Sequence, residues 1–114
     1  MSETIFHKII RREIPADIVF EDEQCIAFRD INPVSPTHIL VVPKADLSGI
    51  AAAEESHKSL LGHLLLVTSE IARSEGISED GYRIVINSGP NGQQTVFQLH
   101  LHLIGGRECG WPPG

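Results

Sequence analysis

The chain predicts an α+β fold, a five-stranded antiparallel sheet with one long and one short helix. Three observations lead there. Five short segments of strand character fall along the chain in groups of two, one and two. One central stretch repeats apolar residues at helical steps, at Leu60, Leu64, Val67 and Ile71. The last segment, Gln98-Leu99-His100-Leu101-His102-Leu103-Ile104, alternates polar and apolar residues as a strand with one dry face does. Hairpin-joined strands with a helix inserted between the groups suit an antiparallel sheet covered by helices on one face.

The elements follow in order. Thr4 can cap a helix over 5–12, with Ile5, Phe6, Ile9 and Ile10 as its apolar stripe, and Pro15 closes it. Residues 18–21 and 25–29 read as a hairpin turning at Asp22-Glu23. Residues 30–36 form a loop stiffened by Pro33 and Pro36. The third strand covers 37–42 and stops at Pro43. The long helix is expected over 54–75, where Glu54 and Glu55 favour its positive N-terminal end and Gly76 suits the position just past it. The fourth strand covers 82–87, and Ser88-Gly89-Pro90-Asn91-Gly92 is a dense turn signal. The fifth strand covers 96–104 and ends at Gly105-Gly106, leaving a tail over 107–114 that holds Trp111-Pro112-Pro113.

The 114 residues read as one domain, long enough for a core without disulfide or metal staples. Nine basic against 15 acidic residues give a formal charge of −6, the wrong sign for a partner gripped by its phosphate backbone, so no nucleic acid is expected. A single phosphate can still be held locally by backbone N–H groups and neutral histidines. No apolar run approaches membrane-spanning length, and no signal peptide opens the chain. Cys25 and Cys109 are far apart and form no C-x-x-C pair, which makes a reducing cytoplasm the expected location.

Side chains two apart on a strand point the same way, so Gln98, His100 and His102 share one face. Leu99, Leu101 and Leu103 share the other, expected to pack under the long helix. Neutral imidazole is a nucleophile near pH 7 and can also pass a proton, so two of them can divide attack and assistance. Spacing alone leaves open a pair of half-buried structural histidines or a metal pair. His38, at the start of the third strand, can reach the pair and fix its tautomer if the two strands are neighbours. Gln98 can do similar orienting work. A zinc site built from His38, His100 and His102 lacks an obvious fourth ligand.

The turn before the last strand offers Asn87, Gly89, Gly92, Gln94 and Thr95, a mixture of close backbone approach and hydrogen-bond donors suited to a phosphate. It is not a P-loop, since it lacks the Lys-Ser/Thr ending and leads into a strand. Taken singly, Phe6, Ile9, Phe28 and Ile31 read as core and Asp30 as a turn residue. His7, His57 and His63 read as surface or helix-packing residues without a role in the site. Trp111 is costly to leave in water, which favours docking of the tail on a second subunit.

Together the motifs resemble the histidine triad (HIT) superfamily, whose signature is His-φ-His-φ-His-φ-φ. Outside the last strand, Ile5-Phe6-x-Lys8-Ile9-Ile10-Arg11, Glu13-Ile14-Pro15-Ala16, Phe28-Arg29-Asp30-Ile31 and Pro36-Thr37-His38 are similar to its Hint branch. So are Ser59-Leu60-Leu61-Gly62-His63-Leu64, Gly81-Tyr82-Arg83 and Trp111-Pro112-Pro113-Gly114, the last of which separates Hint from the Fhit branch of dinucleoside polyphosphate hydrolases. The resemblance implies a purine nucleoside phosphoramidase. His100 would attack the α-phosphorus, expel an amine and form a nucleotidyl-histidine that water resolves. His102 would hold a phosphoryl oxygen and assist the leaving group, with His38 in support. Asp30 would accept from the ribose hydroxyls. Ile5, Phe6, Ile9, Phe28 and Ile31 would line the base pocket, and Asn87, Gln94 and Thr95 would contact the phosphate and leaving-group side.

No metal or other cofactor is implied. The expected ligand is an AMP- or GMP-like purine nucleotide. The expected assembly is a homodimer whose sheet continues across the two protomers and whose tail reaches the partner's site. The chain departs from the pattern at the first triad position, where Gln98 can hydrogen-bond but cannot take a positive charge. Gly110 stands where some Hint members carry His, and Gln93 where Gly is frequent.

Overall fold

Thr4 and His7 cap each other. The Thr4 hydroxyl accepts the His7 N–H, and the His7 ring accepts the Thr4 N–H at 2.9 Å, starting helix α1 (Ile5–Ile10). The computed structural model describes residues 3–114. Arg12, with φ at 63°, turns the chain out of the helix, so α1 ends with its apolar stripe at Ile10 rather than at 12. Strands β1 (Ile18–Glu21), β2 (Cys25–Arg29) and β3 (Thr37–Pro43) follow as successive antiparallel neighbours. Helix α2 (Lys58–Ser74) then crosses the sheet, and β4 (Tyr82–Val85) and β5 (Leu101–Gly105) complete it in the order β1-β2-β3-β5-β4. All five strands pair antiparallel, as predicted.

β4 ends at Val85 rather than at 87, and two further boundaries moved for physical reasons. Residues 55–57 form a 3₁₀ turn, so α2 begins at Lys58 rather than at Glu54. Glu54 donates its N–H to the His57 ring at 2.9 Å, a capping box that starts this turn ahead of the helix proper. β5 begins at Leu101, not at 96. Ahead of Leu101 the neighbouring strand runs into Pro43, which has no N–H to donate. The Leu99 N–H turns to the Leu47 carbonyl at 2.7 Å instead.

The sheet separates two cores. On one face Leu99, Leu101 and Leu103 pack with Leu64, Val67, Ile71 and Ala72 of α2, as their alternation predicts. Burying one such side chain contributes about 1.5–3 kcal/mol. On the other face Phe6 and Ile9 of α1 cover Ile26, Phe28, Leu40 and Val42. Helix α1 is only six residues long, so it covers part of that face. Just past the end of β5, Gly106 has φ at 88° and a Cβ there would lie 2.9 Å from Pro36, which is why a glycine follows the strand. Among the described residues, no helix is long and apolar enough to cross a membrane.

Candidate active site

The strand register builds the site. Leu40 lies opposite His102, so His38, two residues back along β3, is the diagonal neighbour of His102 on the same face. The two rings meet with His38 Nε2 2.9 Å from His102 Nδ1. The His100 and His102 ring centroids stand 5.0 Å apart. Phe6 presses edge-on against His100, centroids 4.9 Å apart, and also against Phe28. A cavity of about 520 Å³ opens over Phe6, Phe28, His100 and His102, while His38 is buried outside its wall.

The backbone decides which ring nitrogen carries each proton. The Val34 N–H points at His38 Nδ1, 3.1 Å away, so that nitrogen is the acceptor. His38 therefore keeps its proton on Nε2 and donates it to His102 Nδ1. His102 must then carry its own proton on Nε2, which is buried with no protein partner among the described residues. His100 Nδ1 lies 2.8 Å from the Gln98 carbonyl, so it is the donor there and leaves Nε2 with a free lone pair. Both His100 and His102 line the cavity. The site thus pairs a free lone pair with an unsatisfied N–H.

Burial keeps the three imidazoles neutral. It lowers the pKa of His38 and His100 below the ordinary histidine value, with Asp30 pulling the other way in both and the Gln98 carbonyl also opposing at His100. His102 is lowered most, to about 4, by burial and then by the neighbouring His100 and His38. A nucleophilic imidazole must be unprotonated, so this environment favours attack at neutral pH.

Ile5, Phe6, Ile9, Phe28, Asp30, Ile31 and Thr95 all line the cavity. Ile5 and Ile31 form its lips, and Ile31 is 85% exposed. Asp30 accepts the Asn32 N–H through Oδ1 and keeps Oδ2 3.5 Å from His38 Nε2. Asn87 and Gln94 are not brought into the wall. Gln94 spends its side chain on the turn itself, accepting the Gly89 N–H at 3.0 Å and donating to the carbonyls of Ser48 and Val96.

Gln98 sits in the triad register, but its side chain turns to the loop after β3. It accepts the Leu47 N–H and donates to the carbonyls of Pro43 and Ala45. Only its main-chain carbonyl touches an imidazole. The cavity wall also includes Ile14, Pro15, Ala16, Asn32, Leu40 and Val96, which sequence reasoning did not single out. The quoted Glu13-Ile14-Pro15-Ala16 stretch was the available signal for three of them.

A sheet face of this topology carrying a tautomer-locked histidine pair beside an apolar cavity defines the histidine triad class. The HIT domain family matches residues 11–109. A maize protein named "14 kDa zinc-binding protein" is 57% identical over 99% of this chain and 89% of its own length. An Arabidopsis thaliana protein named "Adenylylsulfatase HINT1" is 54% identical over 99% of this chain and 78% of its own. The crystal structure of a HIT family hydrolase from Legionella pneumophila superposes with a TM-score of 0.96 at 46% identity, covering 98% of this chain and all of that one. The chain belongs to the HIT family.

Proposed function

We propose that the protein hydrolyses the P–N bond of purine nucleoside 5′-phosphoramidates through a nucleotidyl-histidine intermediate on His100. The observation that carries this reading is that both imidazoles line one cavity, His100 with a free lone pair on Nε2 and His102 with a buried Nε2–H that has no protein partner among the described residues. His100 Nε2 attacks the α-phosphorus. The P–N bond breaks as the leaving nitrogen takes a proton from solvent, and the water of the second step returns that proton. Positive charge on the adducted ring is offset by the Gln98 carbonyl through Nδ1–H. His102 Nε2–H donates to a phosphoryl oxygen and assists the departing nitrogen. Water then displaces His100 and releases the nucleoside monophosphate.

The apolar lips and Phe28 accept the purine, Asp30 the ribose hydroxyls, and Thr95 stands on the phosphate side. Gln94 acts by holding the turn. The imidazoles and backbone groups supply the electrostatic work, so the proposed reaction needs no cofactor.

The Arabidopsis relative's name supports a second reading, cleavage of adenylyl sulfate through the same intermediate. Sulfate leaves without needing a proton, so that reaction would depend less on His102 than the phosphoramidate reaction does.

We also propose a cytoplasmic homodimer. β4 is a free sheet edge in the protomer, and Leu65, Leu66 and the 83% exposed Trp111 are large apolar surfaces that a second copy would cover. Arg83 holds the tail to its own sheet at the Gly110 carbonyl, 2.7 Å away, and so presents Trp111 outward. Monomeric scattering at micromolar concentration would contradict the dimer.

Side-by-side assay of adenosine phosphoramidate, adenylyl sulfate and a diadenosine polyphosphate, with chelator present, tests the substrate. AMP release fastest from the phosphoramidate is expected. Preference for the polyphosphate would place the enzyme with the Fhit kind, and tight AMP binding without turnover would make it a non-catalytic nucleotide-binding protein.

A further inference from the structure

The α2 face of the sheet carries a second group of ligating side chains, away from the histidine pair. Asp22 lies in the turn between β1 and β2, Cys25 opens β2, and His63 lies on the second turn of α2. The hairpin itself aims the carboxylate, since Asp22 Oδ1 accepts the N–H groups of Gln24 and Cys25, both at 2.8 Å. Oδ2 is left facing His63 Nε2 at 2.7 Å. A carboxylate oxygen, the Cys25 sulfur and an imidazole nitrogen all lie within 4.8 Å of one another. Cys25 is buried in the core that includes Leu64. Asp22 and His63 are each 31% exposed in their side chains, so the group is sealed behind and open to water in front.

The donor set selects the ligand. Thiolate, imidazole and carboxylate together suit a borderline-soft divalent ion such as Zn²⁺, whereas Mg²⁺ and Ca²⁺ prefer all-oxygen sites. One thiolate and one carboxylate balance a double positive charge. Three protein ligands leave one tetrahedral position for water.

We propose that Asp22, Cys25 and His63 bind a zinc-like divalent cation that fastens the β1–β2 hairpin to α2. On binding, the thiol proton goes to solvent as the sulfur–metal bond forms. His63 gives up its hydrogen bond to Asp22 and coordinates as the neutral ring. This ligand set shares no residue with Asp30, His38 and His102, which also gather within reach of one another beside the cavity. The proposed site lies across the sheet from the hydrolytic histidines and stands whether or not their chemistry is as described above.

The test is titration of the metal-free full chain with Co²⁺, read by its thiolate charge-transfer band and by the visible bands of a tetrahedral site. One equivalent should bind with both signatures, and Zn²⁺ should displace it. His63→Gln, which keeps a side chain able to hydrogen-bond Asp22, should weaken cobalt binding about tenfold or more. Cys25→Ser should remove the charge-transfer band, and His102→Ala should leave the titration unchanged. Should Cys25→Ser not fold, the wild-type spectrum and His63→Gln decide alone. Three results would overturn the site: no thiolate band at saturating Co²⁺, a titration indifferent to His63→Gln, or binding lost with His102→Ala.

Discussion

Leu101 and His102 are consecutive in β5 and meet opposite surroundings. Leu101 enters the core beneath α2, while His102 faces a cavity that α1 only partly covers. The leucine needs no partner there. The imidazole is placed among hydrogen bonds that settle its tautomer, and its buried Nε2–H is left unsatisfied. An unpaired buried donor costs about 1–3 kcal/mol in an ordinary core. Tolerating it is sensible where a ligand oxygen will fill the place. One face of the strand therefore stabilises the fold, and the other keeps groups ready at some expense to stability.

Substitutions on the two faces should separate these roles. His100→Gly should reduce turnover by roughly 10⁴-fold or more, as loss of a nucleophile does, with little loss of thermal stability. Leu103→Ala should do the converse, lowering stability by about 2–5 kcal/mol in denaturant unfolding while the folded fraction keeps its turnover. A Leu103 variant that lost activity without losing stability would break the division.

His102→Ala should slow phosphoramidate cleavage by about 10²–10³-fold, as loss of one hydrogen-bond donor to the developing charge does. Steady-state rates should fall less for adenylyl sulfate, and an equal loss on both substrates would assign His102 to phosphate binding alone. Gln98→Ala tests a residue that belongs to both faces. It leaves the buried groups at Leu47, Pro43 and Ala45 without partners and should cost about 1–3 kcal/mol on unfolding. Its effect on turnover should be smaller than that of either histidine, because the carbonyl that orients His100 remains.

The last effect is in pH. A histidine whose folded pKa lies below its unfolded value lets the unfolded chain take the proton first as pH falls, so stability declines on acidification. For His102 that window runs from about 6.5 down to about 4. Melting temperature should drop across it, and the drop should be shallower in His102→Ala. Equal slopes in the two proteins would show that His102 is not held neutral by its site.

Much of this was legible in the residues. The alternation at 98–104 announced both faces of β5, and the helical steps from Leu60 to Ile71 announced the buried side of α2. The N-terminal limit of β5 was not legible, because it depends on Pro43 arriving beside it from another strand. The two faces of Gln98 were hidden for a similar reason. A residue in the triad register reads as a side chain in the site, whereas here the side chain serves the loop and the carbonyl serves the site. Asn87 and Gln94 carry chemistry suited to a phosphate around the turn before β5, but Gln94 is consumed in closing that turn. The Asp22, Cys25 and His63 group joins residues about forty positions apart and became visible only with α2 docked on the hairpin.

The most direct measurement is acid quench of the enzyme during turnover of adenosine phosphoramidate, followed by peptide mass spectrometry. The account predicts a transient adenylyl group on the peptide holding His100, absent in His100→Gly. An adduct on another residue, or undiminished cleavage by His100→Gly, would contradict it.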